Sequence, residues 1–148
     1  MELSADNPAD RVEKLIRLTE RLTELLTRET TLFKGFKAGE AEALQAEKQQ
    51  LANLYRREIG RIAQDKSLIA GAPAARREAL SVATTAFNAA LRENEIASHA
   101  LRMMTEGLVH AVAEEVVRKR GATSNYGPGA SQTTPRGAAT SITLNQSV

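Results

Sequence analysis

Leucine recurs at intervals of three and four in the first third of the chain: Leu15, Leu18, Leu22, Leu25, then Leu32 and Phe36, with Glu29 interrupting. That spacing marks a helix packed on another helix. A strand, whose side chains alternate sides with a period of two, cannot gather these residues on one face. Val12, Ile16, Leu26 and Phe33 widen the seam into a broad apolar face. Asn7 can cap the helix, Pro8 suits its first position, and Asp10 suits the positive end of the helix dipole. Asp10/Lys14, Glu13/Arg17 and Glu24/Arg28 stand four apart with the acid first, the favoured order. A helix over 8–38 follows.

Gly35 and Gly39 break the pattern. A second helix over 40–67 has Leu44, Leu51, Leu54, Tyr55, Ile59 and Ile62 as its apolar face and Gly60 as a weak point. Ile69-Ala70-Gly71-Ala72-Pro73 is the next break, because proline pushes the preceding residue out of the helical region. A third helix over 73–120 carries the seam Leu80, Ala83, Phe87, Leu91, Asn94, Ser98, Leu101, Met104, Leu108, Val112 and Val116. Asn94 and Ser98 are polar rungs that specify register or face the edge of the bundle. Glu114/Arg118 and Glu115/Lys119 support its end, Arg118 to Arg120 suit the negative end of the dipole, and Gly121 is the expected stop. The expected fold is all-α: an antiparallel three-helix bundle or coiled coil, its long third helix projecting beyond the first two. Residues 1–7 read as a polar lead and 8–120 as the helical domain. Residues 121–148, rich in Gly, Ser, Thr and Pro with Arg136 as their single charge, read as a disordered tail.

Composition excludes several function classes. Lysine and arginine total 20 against 18 acids, a net +2 with both signs interspersed, so no basic stripe for nucleic acid emerges. Aromatics are 3% and tryptophan is absent, which removes the stacking platforms of single-strand binders. With no cysteine, disulfides and thiolate chemistry are excluded, which suits a reducing cytoplasm. No apolar run approaches the ~18 residues of a membrane span, and the acidic, polar start does not read as a secretory signal. His99 and His110 share one helical face about 16 Å apart and cannot share a metal ion. The Glu95/His99 and Glu106/His110 spacings do not fit the Glu-x-x-His di-iron pattern. Arg56-Arg57 and Arg76-Arg77 read as solvated faces. Phosphate-loop, zinc-protease and nucleophile-elbow motifs are missing. The expectation is a protein that is not an enzyme, with no catalytic residues, metal or cofactor.

The helix lengths suggest what the chain does instead. The first two helices should be about 45 Å long and the third about 70 Å. The pair can therefore cover the third only as far as about Arg102. Leu101, Met104, Leu108, Val112 and Val116 then form an apolar stripe with nothing opposite it, a surface suited to another chain's helix. Two other arrangements are open: a homodimer seam, or a kink at Gly107 that folds the helix back into a four-helix bundle.

Three stretches carry a family resemblance. Leu25-Leu26-x-x-Glu29 leads into Phe36-Lys37-Ala38-Gly39-Glu40-Ala41-Glu42-Ala43-Leu44 and Glu47-Lys48-x-x-Leu51; Leu91-Arg92-x-Asn94 lies in the long helix; Tyr126-Gly127-x-Gly129 follows it. In this order and spacing the chain resembles the FlgN family of flagellar type III export chaperones, small cytoplasmic helical proteins. The resemblance implies a client, the C-terminal helical segment of a hook–filament junction protein, kept soluble until delivery. It implies client binding at Leu101, Met104, Leu108, Val112 and Val116, and docking of Tyr126 on the export gate and ATPase complex. Neither nucleic acid nor stable membrane insertion belongs to this picture. The competing class is a self-associating coiled-coil adaptor or scaffold.

Overall fold

A computed structural model describes residues 2–124, with side chains described as far as residue 122. All its regular structure is helical: α1 (Pro8–Lys34), α2 (Ala38–Gln64), the single turn α3 (Ser67–Ala70) and α4 (Ala74–Ser124). The chain divides into two compact units, Met1–Val109 and one that begins at His110.

α1 starts as its residues dictate. The Asn7 side chain accepts the Asp10 amide hydrogen at 2.9 Å, and Pro8 opens the first turn. Asp10/Lys14 and Glu13/Arg17 pair as their spacing predicts. Glu24 instead bonds Arg21, which also grips Glu47 of α2 through two nitrogens at 2.7 and 2.9 Å. The lead is more than polar: Leu3 packs against the core cluster of Leu15, Leu18, Leu22 and Leu54.

α1 ends four residues earlier than expected, at Lys34, and α2 begins at Ala38, ahead of Gly39. Neither glycine supplies the left-handed residue of this turn. Phe36 does, with φ 58°, and its ring stands in solvent. The Lys37 amide then donates back to the Leu32 carbonyl at 2.8 Å, closing the end of α1. α2 stops at Gln64 rather than Ser67, because the Asp65 carboxylate captures the amide and hydroxyl of Ser67 at 3.0 and 2.6 Å and starts the turn of α3. At the far end α4 does not stop at Gly121. It runs on to Ser124, because one exposed glycine costs a helix only about 1 kcal/mol. The proposed disordered tail otherwise lies outside the described residues.

Cross-links fix the directions within the first unit. Arg21–Glu47 and Arg11–Glu58 make α2 antiparallel to α1. Arg76–Glu13, Asn94–Glu29 and Lys34–Glu93 make α4 parallel to α1 and so antiparallel to α2. The core lies between the three long helices, with Val12, Leu15, Leu22, Leu25, Leu44 and Leu54 buried and Tyr55 against Phe87 at 5.2 Å between ring centres. Ile59, assigned by periodicity to this core, is exposed.

Two buried carboxylates tie the helices together. Glu58, 1% exposed, bonds Arg11 at 2.7 Å and Arg61 at 3.3 Å and accepts the Leu3 amide hydrogen. Glu29, also 1% exposed, accepts from Lys48 at 2.6 Å, from Gln45, and from Asn94 at 2.8 Å. Asn94 also donates to the Thr30 hydroxyl at 3.2 Å. Every buried side-chain polar atom among the described residues is satisfied, as stability requires of ions removed from water. Burial pushes the Glu29 carboxyl up, but the Lys48, Gln45 and Asn94 bonds outweigh it and hold its pKa below the usual carboxylate value.

Candidate functional site

The candidate surface is α4, and its inward seam changes character along its length. Leu80, Phe87, Ser98 and Leu101 are half-buried, and Ala83, Asn94 and Ala97 are buried, so α1 and α2 cover this face as far as Leu101. Leu91, at the edge of the seam, is already exposed.

Beyond Leu101 the apolar positions are open. In the first unit Met103, Met104, Leu108 and Val109 are exposed, Leu108 to 65%. In the second unit Val112, Val116 and Val117 are exposed, Val117 to 70%. Of the five residues assigned to client binding, Leu101 is therefore partly covered, whereas Met104, Leu108, Val112 and Val116 stand in solvent. α4 continues as helix through Gly107. Tyr126, assigned to gate docking, lies outside them.

Polar groups on this part of α4 pair locally. His110 faces Glu114 at 3.5 Å instead of Glu106, and Arg118 bonds Glu115 at 2.8 Å rather than Glu114. Among the described residues no three His, Cys, Asp or Glu side chains gather to hold a metal ion, and no helix is long and apolar enough to cross a membrane.

A second apolar face of α4 went unread in the sequence. Ala75, Ala79, Val82, Ala86 and Ala89 are spaced four and three, and Ile96, Ala100 and Met103 continue the repeat after Glu93. All are exposed, Val82 to 62% and Ile96 to 58%. The signal was present in the spacing. The neighbouring leucine-bearing seam hid it, because alanine carries little hydrophobic weight. Where this face meets α1 lies a groove of about 560 Å³, floored by Ile16, Val82, Ala83 and Ala86 and rimmed by Glu20, Glu24 and Glu78.

Neither a protein-family profile nor a solved structure matches the chain. It is similar, at 38% identity over 147 residues, to the flagellar basal-body protein FlbY of Caulobacter vibrioides, with 99% of each chain covered. This relative agrees with the flagellar setting of the resemblance and does not name a FlgN-type chaperone. At that identity across nearly all of both sequences, the chain belongs to the family of the flagellar basal-body protein FlbY.

Proposed function

We propose that this protein is a cytoplasmic, non-enzymatic chaperone of flagellar type III export. It would hold the C-terminal helical segment of a hook–filament junction protein on the open apolar residues of α4 and pass the client to the export gate and its ATPase. The observation that carries the reading is the exposure of large apolar side chains from Met103 to Val117 on a helix whose earlier inward face is covered. Exposed apolar surface in such a run is costly in water and typical of a protein-binding site. The two methionines offer an adaptable surface for more than one sequence. The flagellar name of the relative supplies the setting. The resemblance of Leu91-Arg92-x-Asn94 and Tyr126-Gly127-x-Gly129 to FlgN-type chaperones supplies the class.

The mechanism needs only burial. An amphipathic client helix laid on this stripe would remove apolar area from water on both partners at roughly 25 cal/mol per Å². The same contact would mask the surface through which the client assembles. Handover requires that the grip be reversible, which suits a single-helix platform better than an enclosed pocket.

A pull-down with hook–filament junction proteins tests this. Leu108→Asp together with Val112→Asp should abolish capture while the helical circular dichroism signal stays unchanged, since both side chains are exposed. Undiminished capture by the double variant overturns the surface. A chain that light scattering finds to be a stable dimer, and that stays dimeric when offered these clients, overturns the chaperone in favour of a self-associating scaffold.

A further inference from the structure

The groove between α1 and α4 lies on a face that the client-binding reading does not use. Its floor is apolar, with Ile16 from α1 and Val82, Ala83 and Ala86 from α4. Its rim is acidic: Glu20, Glu24 and Glu78 line it, and no lysine, arginine or histidine does. Glu24 is engaged by Arg21, whereas Glu20 and Glu78 make no ion pair among the described residues. The chain as a whole is net positive, so this concentration of acid is local.

The groove is also part of a longer track. The heptad spacing of Ala75 to Met103 continues on the same outer face of α4, and alanine at successive seam positions lets a second helix approach closely. A helix seated there would fill the groove with its own ridge and run beside the carboxylate rim. A second copy of this chain would bring another Glu20, Glu24 and Glu78 with it, setting like charges against each other about a two-fold axis. The charge complement is a helix with apolar seam residues flanked by lysine or arginine.

We infer that the outer face of α4, from Ala75 to Met103, together with the Glu20–Glu24 rim of α1, is a docking track for a basic amphipathic helix of another protein. It meets the residues that the proposed client uses only at Met103. One protein would then have two helix-binding faces on α4, one selected by shape and apolar area and the other by charge as well.

Two labelled synthetic helices test it. Each has about 20 residues, or roughly 30 Å, with the same alanine–leucine seam, and they differ only in having lysine or glutamate at the flanking positions. Titrated with the full chain and read by fluorescence anisotropy, the lysine-flanked peptide should bind about tenfold more tightly than its twin. Glu20→Lys with Glu78→Lys should reverse that preference. Leu108→Asp with Val112→Asp should leave it unchanged, so failure of the client reading and failure of the track are distinguishable. Equal affinity for the two peptides, no binding of either, or a preference that survives the charge reversal overturns the inference. So does a dimer of the chain that Val82→Asp converts to monomer, since the occupant would then be a second copy.

Discussion

α1 and α4 are built from similar residues and do opposite things. α1 has 27 residues and buries ten of them, from Arg11 to Thr30. α4 has 51 residues, yet its buried side chains in the first unit are Ala83, Asn94 and Ala97, while Val82, Ile96, Met103, Met104 and Leu108 are exposed. Helix-forming residues and apolar spacing are common to both, so neither separates a core helix from a presenting one. The difference lies in what stands opposite. α1 is flanked by both other long helices along nearly its whole length, whereas α4 is covered on one face and only as far as Leu101.

The contrast should be sharpest in core truncation. Leu25→Ala in α1, at a side chain with no exposure, should cost about 3 kcal/mol of stability by urea denaturation. A loss below 1 kcal/mol would mean that α1 is not the packing centre. Asn94→Ala, which removes a buried polar rung between α4 and this core, should cost about 2 kcal/mol because it leaves the buried Glu29 short of a donor.

The same node sets an acid limit. The Glu29 pKa is held below its ordinary 4.5, so its contribution is complete above that value and is lost as the pH falls through the folded-state pKa. Stability measured from pH 6 down to pH 3 should decline below about pH 4.5, and Asn94→Ala should weaken that decline. An unchanged profile in the variant would remove Asn94 from the carboxylate's support. Asn7→Ala, which removes the α1 cap, should cost about 1 kcal/mol in the same assay. Met104→Ala in α4 should shift the urea midpoint by less than the equivalent of about 0.5 kcal/mol, since the side chain is already in solvent. A core-sized loss there would mean that Met104 is covered in solution and would collapse the comparison.

Much of the all-α fold was legible in residue spacing: the three long helices, the Asn7 cap, the seam from Leu80 to Leu101 and the point where cover ends. The polar nodes were not. Glu29 reads as an interruption of a leucine seam, because its partners Lys48, Gln45 and Asn94 lie 16 to 65 residues away, where no local pattern reaches. Glu58 is invisible for the same reason, being paired with Arg11 across 47 residues. The outer track escaped because it is made largely of alanine, whose value lies in letting a neighbour come near. Gly121 misled in the other direction: a stop signal works only when the following residues prefer another conformation.

Long helices with repeating seams are prone to sliding past one another by seven residues, since each apolar tooth then meets the next equivalent gap. Here such a slip would carry Phe87 or Leu101 to the place of Asn94, setting a hydrocarbon against the ionised Glu29. Depriving a buried carboxylate of one donor costs about 2 kcal/mol, enough to disfavour the misaligned assembly. A single amide thus works as the notch that lets only one alignment click shut, and it also sets which residues of α4 remain outside the core.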